Sequence, residues 1–122
     1  MAILERNDTG AIAHLHMNAP ERLNALSSEM LEALQSQFDA LKTDTSIRAV
    51  ILSGAGKAFC AGHGRRQMTA MRQAPDGGAA AFKDLFDRCT TVMARIQSMP
   101  QPVIAQVHGI ATAAGCQLVA TC

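Results

Sequence analysis

Apolar positions change their spacing along this chain, and each spacing predicts a different element. Over residues 11–17, Ala11, Ala13, Leu15 and Met17 fall on one face, and Ile12, His14 and His16 on the other, the two-residue period of a strand. A shorter run at residues 2–6 precedes it, and Asn7-Asp8-Thr9-Gly10 between the two reads as a hairpin turn. Asn18-Ala19-Pro20 breaks the pattern. Met30, Leu31, Leu34, Phe38 and Leu41 then step by three and four, predicting an amphipathic helix over residues 28–41. Ser27 or Ser28 supplies its N-cap, and Glu29 suits the positive end of its dipole.

Residues 47–53 are a β-branched run too short for a helix, a buried strand that opens directly into Gly54-Ala55-Gly56. Phe82, Leu85, Phe86, Cys89, Val92, Met93, Ile96 and Met99 give a second helical stripe, stopped by Pro100 and Pro102. A further buried strand is expected at residues 103–107, before His108-Gly109. Residues 113–122 are small and apolar, the start of a buried helix with no Gly, basic last turn or polar tail to end it. Between two helices, residues 73–78 form the one linker-like stretch, read as a mobile surface loop. Strands alternating with helices predict an α/β protein with crossover connections.

Composition narrows the function classes. The 122 residues are 48% hydrophobic and 17% charged, enough for one core and unlike a disordered tail. Eleven Lys and Arg against ten Asp and Glu leave a charge of +1, without the basic excess of a nucleic-acid-binding protein. With no Trp, no Tyr and four Phe, there is no platform for stacking bases. No apolar run approaches the ~20 residues a membrane helix needs, and residues 1–6 lack the basic start and apolar stretch of a signal peptide. Cys60, Cys89, Cys116 and Cys122 sit at wide spacing within hydrophobic patterns, which suits buried thiols in a reducing, cytoplasmic setting.

Several motifs fail on spacing. Gly54-Ala55-Gly56-Lys57 has Ile51 and Ala58 where a phosphate loop requires Gly and Ser or Thr, and Phe59 where the dinucleotide fingerprint needs a small residue. His14 and His16 share a strand face and Cys60-x-x-His63 has ligand-like spacing, yet no further Cys pair or carboxylate completes a metal set. No cue places a base beside Cys60 or Ser53. Two segments share one grammar, a buried strand running into small residues ahead of a helix. They are Val50-Ile51-Leu52-Ser53 into residues 58–64, and residues 103–107 into residues 109–115. Small side chains there either permit close helix packing or leave backbone N–H groups open at a positive helix end, where two that converge form an oxyanion hole.

Asn24-Ala25-Leu26 ahead of a helix, residues 56–63 (Gly-Lys-Ala-Phe-Cys-Ala-Gly-His), and Pro102-Val103-Ile104-Ala105 through Gly115-Cys116 carry a family resemblance. In that order, over almost the whole chain, they resemble the signatures of the crotonase (enoyl-CoA hydratase/isomerase) superfamily. The resemblance implies a crotonase-like spiral of ββα units that binds acyl-CoA thioesters, with no permanently bound cofactor and no metal. Because members of that family are longer, residues 1–122 would be the N-terminal part of a single acyl-CoA-binding domain. By position, the backbone N–H groups of His63 and Ala114 would hold the thioester oxygen as it becomes enolate-like. Arg22, Leu23, Ala25 and Ala61 would line the coenzyme A channel. Arg65 and Arg66 would either meet its phosphates or form a solvated helix face. A homotrimer or hexamer is the implied assembly, with no nucleic acid and no membrane as partner.

The sequence also departs from the family. Gln117 occupies the place of one of the two glutamates a hydratase of this family uses; an amide orients water but accepts no proton at neutral pH. The other glutamate would lie beyond residue 122. Asp76, Asp84 and Asp87 occupy no motif position, and Gly64 stands where Asp is usual, a loss of a few tenths of a kcal/mol as an N-cap. Two readings follow, an enoyl-CoA hydratase or isomerase and an acyl-CoA-binding protein without that chemistry.

Overall fold

The computed structural model describes residues 2–122. Strands β1 (Leu4–Thr9) and β2 (Ile12–Met17) pair antiparallel, and Thr9 lies opposite Ile12, so the hairpin turns on Gly10 and Ala11 alone. The expected four-residue turn is therefore mostly strand. Gly10 takes φ +60°, which a two-residue hairpin turn needs, and Arg6 clamps Asp8 on the exposed edge at 2.9 Å, so polar residues can extend the strand.

β3 (Ala49–Gly54) and β5 (Val103–Ala105) add parallel strands, giving the order β1-β2-β3-β5. β4 (Ala58–Cys60) and β6 (Ile110–Ala111) form a second, two-stranded parallel sheet. At three and two residues they show no periodicity, and the sequence reading passes over both as junctions. Because β3 neighbours β5 while β4 neighbours β6, the chain climbs in ββα turns. The first turn places both of its strands in the larger sheet, and each of the next two adds one strand to each sheet before its helical segment.

Helix α1 (Ser28–Lys42) is capped by Ser27, whose hydroxyl accepts from the Met30 N–H at 3.1 Å. It buries Met30, Leu31, Leu34, Phe38 and Leu41 beside the buried stripe of α3 (Ala79–Ser98), and Leu15, Met17, Val50, Leu52 and Val103 from the sheet join the same core. The α3 stripe is incomplete at its start: Leu85, Cys89, Val92, Met93 and Ile96 are buried, whereas Phe82 is half-buried and Phe86 is 46% exposed. Residues 73–78 form turns between α2 (Arg65–Met71) and α3, exposed except at Gly78, which is buried. There the Asp76 carboxylate accepts from the Gly78 and Ala80 N–H groups at 2.9 and 3.1 Å, satisfying donors at the start of α3. α4 (Ala114–Thr121) ends the described chain. Among the described residues no helix is long and apolar enough to cross a membrane.

One buried polar side chain joins the layers. The Gln101 amide donates from Nε2 toward the carbonyls of Leu41, Asp44 and Ile47 at 2.7, 3.3 and 3.2 Å, so the strand β5 approach is tied to the end of α1. Gln101→Ala leaves the Leu41 and Asp44 carbonyls their backbone donors but takes the amide from the Ile47 carbonyl, and it is expected to lower stability by about 1 to 2 kcal/mol. The check is a urea midpoint that falls while the slope stays constant. A second test is acid denaturation. The Ala80 and Gly78 N–H groups hold the Asp76 carboxyl below its ordinary range, so its stabilisation is present at neutral pH and lost as pH falls through that lowered value. Asp76→Asn should therefore lower the melting temperature at neutral pH, and the gap from the parent should close on acidification.

Candidate functional site

The site begins with a buried asparagine. After the short helical turn Pro20–Arg22, Leu23 and Asn24 both adopt left-handed backbone, with φ of 54° and 52°. Asn24 is fully buried and its side chain fixes this reversal. Its Oδ1 accepts from the Ala19 N–H at 2.9 Å, and its Nδ2 donates to the carbonyls of Ala55 and Ala58 at 2.9 and 3.1 Å. The loop is thereby laid along β4. The Ala61 N–H then donates to the Leu23 carbonyl at 3.0 Å, and the Leu26 N–H to the Gly62 carbonyl at 2.7 Å. The His63 ring is held in turn, its Nδ1–H donating to the Leu26 carbonyl at 3.1 Å.

The second junction packs onto the first by backbone contact. Gly115, in the first turn of α4, lies so close to the Cys60 carbonyl that any Cβ there would overlap it. The Thr112 N–H donates to that same carbonyl at 3.1 Å. A Cβ on Gly62, which has φ +88°, would stand 3.1 Å from the Ala113 Cβ and 3.2 Å from the Ala114 nitrogen. The peptide entering His63 and the peptide entering Ala114 are thus side by side. Among the described residues neither the His63 N–H nor the Ala114 N–H donates to a protein acceptor. For Ala114, the first residue of α4, the open donor is the ordinary state of a helix start. Ala113 ahead of it has φ 51° and ψ −125°, backbone that glycine adopts freely and alanine only under strain.

Gln117 lies one turn beyond Ala114 on α4, exposed, with no side-chain hydrogen bond among the described residues. Around the paired peptides, Ala25 is buried, Ala61 half-buried and Leu23 36% exposed. Arg22, Arg65 and Arg66 are exposed. Among the described residues none of the three makes an ion pair, and neither do Lys42, Arg48, Lys57 or Arg72. Arg65 and Arg66 also open α2 behind Gly64, with no acidic residue in that first turn, so both cations face the positive end of the helix. Asp84 and Asp87 are spent in i,i+4 pairs with Arg88 and Lys83.

The thiols divide. Burial pushes Cys60 and Cys89 up, and Cys122 up to about 11, as expected of inert core cysteines. Cys116, next to Gln117 in the chain, is exposed where the sequence pattern implies a buried thiol. A groove of about 510 Å³ between α1 and α3, lined among others by Leu31, Gln35, Asp39, Arg88 and Val92, contains none of the candidate catalytic or coenzyme-binding residues. The pattern missed three contributors: Asn24 as the hub of the loop, Ala113 as the strained hinge, and Phe86 as an open ring beside His63. Only the position of Asn24 within a quoted motif carried any signal.

Stacked ββα turns with two strand-to-helix junctions brought together define a spiral α/β protein with two unpaired backbone N–H groups at the joined junctions. Residues 7–122 match the family model described as enoyl-CoA hydratase/isomerase, and the chain belongs to that family. It is 39% identical over 111 residues, 91% of the chain, to the Xenopus laevis protein named enoyl-CoA hydratase domain-containing protein 3, mitochondrial. It spans 36% of that relative's length. Among solved structures, enoyl-CoA hydratase of Mycobacterium smegmatis aligns with a TM-score of 0.88 at 50% identity, covering 98% of this chain and 45% of that one. Human enoyl coenzyme A hydratase domain-containing protein 3 aligns with a TM-score of 0.88 at 33% identity, over 98% and 46% of the two chains.

The close backbone contact makes two substitutions diverge. Gly115→Ala must push α4 off β4 and should cost several kcal/mol, on the order of 3. Ala113→Gly releases the strained backbone and should raise stability by about 1 kcal/mol, because the relieved strain exceeds the added unfolded-state entropy. Thermal melts of both variants beside the parent check the opposite signs.

Proposed function

We propose that this chain is the N-terminal part of a single acyl-CoA-binding domain and carries its oxyanion hole, formed by the His63 and Ala114 N–H groups. The observation that carries this reading is the juxtaposition of two unpaired backbone donors across Gly62 and Ala113. Preorganised donors of this kind act where negative charge develops, and each is worth about 3 to 4 kcal/mol of transition-state stabilisation. A thioester carbonyl gains such charge when its α-carbon loses a proton or its β-carbon takes up water. The nominal reaction is hydration or isomerisation of an enoyl-CoA, with coenzyme A thioester as substrate and no resident cofactor.

Arg22, Leu23, Ala25 and Ala61 then line the coenzyme A channel. Arg65 and Arg66 meet its phosphates, a reading supported by their exposure side by side at the start of α2 and by guanidinium geometry. Gln117 stands one turn from the oxyanion donors, where its amide can orient a water but take no proton from it. This observation favours a second reading, a domain that holds acyl-CoA without hydratase chemistry. Assembly as a homotrimer or hexamer follows the family, and four free thiols suit a reducing, cytoplasmic setting.

The full-length protein with a panel of enoyl-CoA thioesters tests the two readings. Calorimetric binding with turnover supports the enzyme, and binding without turnover supports the second reading. Absence of binding sinks both. Gln117→Glu supplies a carboxylate at the same place and should raise hydration at least tenfold if the site lacks only its base. An unchanged rate with retained binding would show that the missing base is not the limit.

A further inference from the structure

Strand register gives Ser53 the base that its neighbours in the sequence lack. Parallel pairing of β2 with β3 sets His16 opposite Ser53, and the His16 Nδ1 lies 2.7 Å from the Ser53 Oγ. The two are 37 residues apart in the chain and meet only because the strands pair in this register. Both side chains turn to the outer face of the sheet. Leu15, Met17, Leu52 and Gly54 on either side of them are buried, whereas His16 and Ser53 are half-buried.

A hydroxyl within hydrogen-bond reach of an imidazole nitrogen is the contact that nucleophilic catalysis requires. With the ring proton on Nε2, the Ser53 hydroxyl donates to Nδ1, and Nδ1 can take its proton. Glu5, opposite His16 on β1, and His14, two residues back along β2, are the other titratable groups beside the ring on this face. Among the described residues neither hydrogen-bonds to it, so its only side-chain partner is Ser53. Ile51 and Ile104 are register partners on β3 and β5 that turn to the same face, with Ile104 51% exposed. They give an apolar acyl group a surface next to the hydroxyl.

We propose that Ser53 and His16 are the nucleophile and general base of an acyl-transfer site for activated carboxylic esters with a short apolar acyl group. The His16 Nδ1 takes the hydroxyl proton as the Ser53 Oγ bonds to the acyl carbon. The bond from that carbon to the leaving oxygen breaks, and the leaving oxygen takes the proton from His16. Water then adds to the acyl-serine with His16 again as base, the Ser53 Oγ departs with the proton, and a carboxylic acid is released. No oxyanion donor is part of this pair, which limits the reaction to esters with a good leaving group.

Full-length protein treated with an alkyl fluorophosphonate, and separately with p-nitrophenyl butyrate, tests this. Mass spectrometry should find the phosphonyl group on Ser53 in the folded parent and not in protein unfolded in urea. His16→Gln, which keeps a hydrogen-bonding group and removes the base, should slow both labelling and nitrophenolate release about tenfold or more. Ser53→Ala should bring nitrophenolate release down to the level of the other surface groups, with no covalent adduct on the β3 peptide. An unlabelled Ser53 in the folded parent, or labelling at the parental rate in His16→Gln, would overturn the proposal. The first of these results needs no variant, so it decides the matter even where a substituted chain fails to fold.

Discussion

The seating of α4 on β4 is the contact on which the rest of this structure depends. β4 and β6 are too short to hold a sheet together by a hydrogen-bond ladder, and their register shifts between Ala58 and Cys60. Two glycines take over that task. Gly109 lies against the Lys57 carbonyl and Gly115 against the Cys60 carbonyl, each at a separation no side chain would permit. Backbone thus meets backbone at both ends of β6, and the second turn of the spiral is fixed on the first within a narrow tolerance. The two peptides entering His63 and Ala114 inherit that precision, because each belongs to the segment next to a contact. In the proposed oxyanion role, donors held this way would need no reorganisation as charge develops between them.

The same economy explains the strained residues. Leu23, Asn24 and Ala113 are the non-glycine residues with positive φ among those described, and all three border the paired peptides. Left-handed backbone costs about 1 to 2 kcal/mol at an ordinary residue and less at asparagine. Three buried hydrogen bonds from the Asn24 side chain offset that cost in the loop. Ala113 has no such partner, and the packing of Gly62 and Gly115 around it holds the conformation instead. Strain here is distributed so that the rigid elements absorb it and the open donors do not.

Much of the scaffold was legible in the chain because it follows from periodicity. α1, its Ser27 cap, the buried face of β2 and the body of α3 all obey a simple spacing, and the folded chain keeps them. β1 runs further than its composition implies because an Arg6–Asp8 clamp makes a polar edge acceptable. β4 and β6 were invisible because three and two residues carry no period. The site was legible differently. A backbone N–H leaves no mark in the identity of its own residue, so composition left close packing and donor exposure undecided at both junctions. Family resemblance alone pointed to His63 and Ala114. Phe86 was hidden by belonging to a helical stripe, where position implies burial and only tertiary neighbours reveal the open ring.

Separating binding from proton transfer has a structural basis in this chain. The elements proposed to hold a thioester are backbone groups set by close glycine contacts, whereas the group proposed for proton chemistry is a side chain. Proton chemistry instead depends on what projects from position 117, on an exposed helix face with no packing or hydrogen bond to specify it. A carboxylate and a carboxamide have nearly the same size there, so either fits without disturbing α4. They differ only in the ability to take a proton. Under the proposed reading, position 117 is one of the two places where a hydratase and a thioester binder on this scaffold would differ, and the fold does not constrain its side chain.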